Sequence, residues 1–303
     1  MRIVFFGTGS FAVPTLRAAA EHVVLVVTQP DRPSGRGMRL QPSPVKEAAL
    51  ELGLAVATPE KSRAPEFVQI LTDQNADFLL VASYGQILSQ AVLDCTKRGG
   101  INLHGSILPK YRGAAPIQRA ILDGETQTGV TLMQMDKGMD TGDMIDLSTT
   151  LIGPDETYGQ LQDRLAVIAA ELAQKWIDRI AEGNNPRTNQ DSSQATIAPK
   201  ITREEGELSP SRPAQAEYNR FRAFTPSPGA YIKTQTGLLK ISQARLSELQ
   251  GEPATVLATK EGLVLAFQGG SLELLELLPE GKKRMSGRDF ANGARLRVGD
   301  CLI

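Results

Sequence analysis

Alternation of short apolar runs with helical spacing constrains this chain more than any other feature. Residues 2–6 (RIVFF) end in glycine, residues 23–27 (VVLVV) are almost wholly β-branched, and residues 77–82 (DFLLVA) form a third run. A fourth, shorter run lies near Gly100–Leu103. Between them, residues 10–20, 43–52 and 64–72 place apolar groups at helical intervals, and Ala55–Ala57 can add a short strand. A strand with no polar alternation has to be covered on both faces. Strands that alternate with helices build a parallel, doubly wound sheet. The expected class is therefore α/β, with a Rossmann-like, mostly parallel sheet in the N-terminal part.

The next segments extend this unit. A helix is expected at 114–122, two extended segments at 129–134 and 143–149 that could pair antiparallel, and a long amphipathic helix at 157–182 that holds Trp176, the only tryptophan. After Gly183 the chain turns polar and rich in Asn, Ser, Thr and Pro, the profile of an interdomain linker. Beyond it come one helix near 217–224 and five or six short β-like runs parted by glycine and polar turns. Such a series suggests a small, OB-like β-barrel. The expected division is a catalytic domain at 1–188, a linker at 189–208 and a C-terminal domain at 209–303. A chain of 303 residues suits two domains, and either can be held by its core without staples.

Several classes are disfavoured. The opening MRIVFFGTGS is too short and too glycine-broken for a secretory signal and reads as a buried first strand. No apolar stretch approaches the ~20 residues that cross a bilayer. Cys95 and Cys301 lack metal-like spacing, so two reduced thiols, no metal and a cytoplasmic location are expected. A net charge of -1 means that any nucleic-acid surface must be local.

Gly7-Thr8-Gly9-Ser10-Phe11-Ala12 fits GxGxxA after the first strand, with Asp31 past the second. Glycines at that spacing let backbone amides approach a pyrophosphate. The same residues also make an ordinary tight strand-to-helix turn. Asp31 opens a long basic loop, DRPSGRGMR, where a cofactor ribose would have to sit.

The chemistry concentrates in INLHGSILPKYRG, residues 101–113. Residues two apart on a strand share a face, so Asn102 and His104 point one way and Leu103 the other. An amide beside an imidazole at the end of a parallel strand lies where open α/β sheets bind ligands. The amide can donate to a developing oxyanion, and the imidazole can donate or move a proton. His22, the other histidine, precedes an apolar run and reads as structural. A carboxylate partner lies in MDKGMDTGD, residues 135–143, but Asp136, Asp140 and Asp143 all suit a glycine-containing turn. Composition does not choose among them.

INLHGSILPKYRGAAPIQRAI, followed downstream by DKGMDTGD, resembles the folate-dependent formyltransferases. FFGTGSFAVPTL, TQPDRPSGRG, PSPVKEAA, SYGQIL and the late PEGKKRMSGRDFANG narrow the resemblance to the branch that acts on methionyl-tRNA. The resemblance implies catalytic residues Asn102, His104 and Asp140, and a folate-lining loop of Ser106, Ile107, Leu108 and Pro109. Tyr84–Leu88 is a further candidate for the pterin. Ile107 stands where leucine is commoner, and Pro226-Ser227-Pro228 stands where the family often carries tryptophan. The implied donor is 10-formyltetrahydrofolate and the implied acceptor is initiator methionyl-tRNA, handled by a monomer.

An RNA partner needs basic groups aimed at phosphates. Arg32, Arg36 and Arg39 supply them in the 31–39 loop, with Arg36 in Gly-Arg-Gly the leading candidate. Lys282, Lys283, Arg284 and Arg288 form a second basic cluster in the C-terminal part. Two rival readings stand beside this one: a formyltransferase acting on a small amine, and a dinucleotide-binding protein.

Overall fold

The computed structural model describes residues 1–34, 39–235 and 237–303. Contacts divide the chain into two compact units. The first comprises Met1–Pro116, Gln127–Thr150 and Gln162–Pro199; the second comprises Ile117–Thr126, Leu151–Leu161 and Lys200–Ile303. The stretch expected to act as a linker is thus divided, residues 189–199 going with the first unit and 200–208 with the second. Within it, Asn189, Gln190 and Thr196 bond groups of the first unit, and Glu205 and Glu207 bond groups of the second.

The first unit is built on a seven-stranded sheet. In spatial order its strands are Met144–Leu151, Gln127–Gln134, Gly100–His104, Phe78–Ala82, Ile3–Gly7, Val23–Val27 and Val56–Ala57. The five strands from Gly100–His104 to Val56–Ala57 are parallel, and Gln127–Gln134 joins Gly100–His104 antiparallel. The chain fills one side of Ile3–Gly7 first, then returns to build the other side from Phe78–Ala82. Order therefore reverses between those two strands, and catalytic groups in such sheets gather at the carboxyl ends nearby.

The run IVFFG is buried at every position, as is FLLVA. Val4, Phe6, Leu25, Val27, Leu79 and Val81 pack in one cluster with Phe67 and Leu71 of helix Pro65–Asp73. Full burial of one such side chain contributes about 1.5–3 kcal/mol. Helix Tyr158–Glu182 buries a stripe that includes Leu165, Ala169, Ala173, Trp176 and Ile180. Trp176 Nε1 donates to Asp146 at 2.6 Å, so the indole's one polar atom is satisfied. No helix among the described residues is long and apolar enough to cross a membrane.

In the second unit, helix Ala214–Phe224 accompanies antiparallel strands. Their order is Ala230–Thr234, Gly237–Ser247, Gly270–Pro279, Leu263–Phe267 and Val256–Ala258, with Met285–Ser286 also on Gly270–Pro279. Register shifts near Gln243 bend the longest pair, the curvature a small barrel needs.

Arg119 and Glu205 clamp the second unit with two hydrogen bonds, 2.6 and 3.0 Å. The guanidinium, helped by the Thr202 amide and opposed by partial burial, holds the Glu205 carboxyl below its ordinary value of 4.5. A depressed carboxyl contributes stability that is full above its unfolded value and lost as pH falls through the folded one. Glu205→Gln should therefore cost about 1 kcal/mol at neutral pH, as a well-formed but partly exposed pair does. That difference should shrink as pH falls below 4.5 and vanish only below the lower folded value, checked by denaturant midpoints of both proteins across pH 3–7.

Candidate active site

Strand Gly100–His104 ends at the carboxyl edge of the sheet with Asn102 partly exposed and His104 buried. Leu103, turned the other way, is buried in the core, as strand alternation requires. Of the three carboxylates in the 135–143 turn, one reaches these groups. Asp140 Oδ1 lies 3.4 Å from Asn102 Nδ2, and Oδ2 lies 3.6 Å from His104 Nδ1. Asp136 is consumed by the turn itself, accepting from the Gly138 amide and the Thr141 hydroxyl. Asp143 accepts from Asn189 at 2.6 Å. Hydrogen bonding thus separates Asp140 from the other two carboxylates by its place beside Asn102 and His104.

The tautomer of His104 follows from its other nitrogen. Nε2 lies 2.8 Å from the Tyr111 carbonyl, which can only accept, so Nε2 carries a hydrogen. Nδ1 is then the nitrogen left out of that bond, and it faces Asp140. A proton on Nδ1 would be shared toward the carboxylate and toward any substrate oxygen placed beside Asn102.

Asp140 is held from several sides. The Gly113 amide donates to Oδ2 at 2.9 Å. Gly113 has φ +123°, and a Cβ there would sit 2.7 Å from the Ala198 carbonyl oxygen, so only glycine serves. Asp140 itself has φ +54°, a left-handed conformation that Asp tolerates better than most residues. The strand pair Arg112–Gly113 and Ile197–Ala198 brings the polar stretch after the long helix alongside this site. From it, Gln190 Nε2 donates to the Asp140 and Gly142 carbonyls at 2.9 and 2.8 Å. Sequence reasoning missed Gln190, which carried no periodicity or motif of its own.

The loop read as folate-lining leaves His104 directly. Ser106 is fully buried, its hydroxyl committed to the Lys110 carbonyl at 2.7 Å. Thr131 ties the loop to the sheet, accepting from the Leu108 amide and donating to the Ser106 carbonyl. Leu108 is buried, which leaves Ile107 and Pro109 as the members with exposed surface. Tyr84 is also buried, and that burial, offset slightly by Ser62, pushes its hydroxyl up to about 12. Arg36 lies outside the described residues; the flanking segments, Arg32–Ser34 and Arg39–Gln41, pair as antiparallel strands.

The first glycine turn does not offer a pyrophosphate cradle. The Thr8 and Gly9 amides both donate to the Ser83 carbonyl, at 3.1 and 3.4 Å. Asp31 is bound by Lys46 at 2.8 Å through both oxygens, where a ribose would have needed it.

A profile described as formyl transferase matches residues 1–177, and one described as formyl transferase, C-terminal domain, matches residues 200–295. The chain belongs to the formyl transferase family. Methionyl-tRNA formyltransferase of Solibacter usitatus is 47% identical over 307 residues, covering 100% of this chain and 98% of that protein. The Geobacter metallireducens enzyme of the same name is 43% identical over 303 residues, covering 99% and 97%. Among solved structures, this formyltransferase is similar to an N-formyltransferase from Helicobacter canadensis in complex with folinic acid and dTDP-3-aminofucose. That likeness has a TM-score of 0.67 at 19% identity, over 90% of this chain and 98% of the other. HypX from Aquifex aeolicus, in complex with tetrahydrofolic acid, gives 0.67 at 17% identity, over 100% of this chain and 49% of that one. At such identities the two structures speak for the fold.

Proposed function

We propose that this formyltransferase moves the formyl group of 10-formyltetrahydrofolate to the free amino group of initiator methionyl-tRNA. The observation that carries the chemistry is the convergence of Asn102 and His104 on Asp140. The full-length similarity to methionyl-tRNA formyltransferases supports the acceptor. In this reading the amine attacks the formyl carbon, and negative charge develops on the formyl oxygen. Asn102 has one N–H toward Asp140 and a second free for that oxygen, with Nδ1 of His104 beside it. A lost oxyanion donor of this kind costs about 3–4 kcal/mol. As the carbon–N10 bond of the donor breaks, a proton passes from the amine to the departing nitrogen, with Asp140 and His104 as its carriers. Ile107 and Pro109 are the parts of the 106–109 loop with surface free to meet the donor.

For the acceptor, Arg36 and its neighbours Arg32 and Arg39 are proposed to meet tRNA phosphates. In the second unit, Lys282, Lys283, Arg284 and Arg288 are exposed, and a groove is lined by Arg203, Glu204, Tyr231, Lys233, Leu238 and Lys240, with Lys233 paired to Glu207. The exposed basic cluster suits contact with RNA phosphates.

The test is transfer of labelled formyl from 10-formyltetrahydrofolate to charged initiator tRNA, with uncharged tRNA and free methionine as controls. Label on the charged tRNA alone is expected. Label on a small amine instead, with none on tRNA, would overturn the acceptor and keep the chemistry. Arg36→Ala should raise KM for charged tRNA and leave KM for the donor unchanged; equal loss of both would count against a tRNA contact.

A further inference from the structure

The geometry points to Gln190 as a positioning residue that holds Asp140 in its working conformation, and we propose this role for it. The inference rests on Asp140 serving the reaction proposed above. Asp140 adopts φ +54°, a conformation that costs a side-chain-bearing residue free energy and persists only where surroundings enforce it. Its carboxylate is steered by Asn102 and the Gly113 amide, but those contacts hold the side chain alone. The backbone is held by Gln190, whose Nε2 donates to both the Asp140 and Gly142 carbonyls.

Gln190 is itself fixed. Arg112 donates to its Oε1 through Nε at 3.0 Å and through a terminal nitrogen at 2.7 Å. A guanidinium only donates and a carbonyl only accepts, so the amide has one permitted orientation. Arg112 is buried, with a further contact from its terminal nitrogen to Ser192 Oγ at 3.4 Å. The amide of residue 112 bonds the Thr196 carbonyl, and the next amide, that of Gly113, holds Asp140 Oδ2. One short segment thus controls Asp140 twice, through Gly113 at the carboxylate and through Arg112 and Gln190 at the backbone. Gln190 touches no reacting atom. Its effect is to keep the carboxylate within reach of Nδ1, where a displacement of about 1 Å can cost on the order of 100-fold in rate.

Two variants separate its parts. Gln190→Leu removes both halves of the amide. Gln190→Glu keeps the shape and the acceptor for Arg112, but sets an oxygen against the Asp140 and Gly142 carbonyls. Both are expected to lower kcat by about 10–100-fold, with KM for donor and acceptor within about threefold. Neither should add to the defect of Asp140→Asn, because the whole effect runs through that carboxylate.

A second readout needs no substrate. With His22→Gln in the background, His104 is the only histidine, and its imidazole nitrogen resonances can be recorded directly. Gln190→Glu should move the Nδ1 signal, as its acidic neighbour shifts away. An unmoved signal with near-parental kcat, or a loss undiminished in the Asp140→Asn background, would overturn the proposal. If the parent protein formylates no tRNA at all, the acceptor reading fails, and the resonance still decides the role of Gln190.

Discussion

Asp140→Asn is expected to lower the rate of formyl transfer by about 1,000-fold, within the range that general acid–base groups contribute. A factor of that size is about 4 kcal/mol of barrier. Asparagine is the informative replacement because it tolerates the left-handed φ of +54° and its carbonyl can still accept from the Gly113 amide. What it loses is the charge 3.6 Å from His104 Nδ1 and the capacity to take a proton. Alanine would confuse the outcome by leaving the Gly113 amide without its acceptor and straining the backbone. Single-turnover transfer measured beside a thermal melt separates chemistry from folding. A variant within about tenfold of the parent, equally stable, would remove this carboxylate from the reaction.

How far such a site can be read without a structure depends on which groups are local. Asn102 and His104 share one strand, and the period of two puts them on one face whatever else the chain does. The parallel sheet was legible for the same reason, since VVLVV and FLLVA state their burial without reference to distant residues. Asp140 was different. It is chemically equivalent to Asp136 and Asp143 until the turn forms, and resemblance to a family, not composition, chose it. Gln190 was illegible because its role depends on Arg112, Asp140 and Gly142, which meet it only in three dimensions. In the polar stretch around it, the Gln190 and Thr196 side chains bond backbone groups beside that site. The glycine turn at residues 7–9 misleads in the opposite sense. Its spacing suits a pyrophosphate, yet Ser83, distant in sequence, takes the amides that such a ligand would need.

The second unit carries the other large expected effect, at a residue that no reaction requires. Glu217 is completely buried on helix Ala214–Phe224. Its Oε1 is 2.9 Å from Arg212 Nε and 3.3 Å from Arg220 Nε, and its Oε2 accepts from the Ser209 amide at 2.7 Å. One carboxylate thus organises two arginines and the backbone that enters the helix. Removing one partner of a buried pair costs about 3–5 kcal/mol. Arg212 keeps 40% of its side-chain surface and Arg220 keeps 19%, so water recovers part of their hydration in the variant. Glu217→Ala should therefore fall near the lower end, about 3 kcal/mol, with the orphaned Ser209 amide included. Glu217→Gln keeps the shape and one acceptor, and should cost about 1–2 kcal/mol, the difference between a charged and a neutral hydrogen bond. Denaturant unfolding of both variants, followed by a probe in the second unit, orders them. Equal losses would assign the energy to the volume of the side chain instead of its charge, and the two arginines would then be packing elements first.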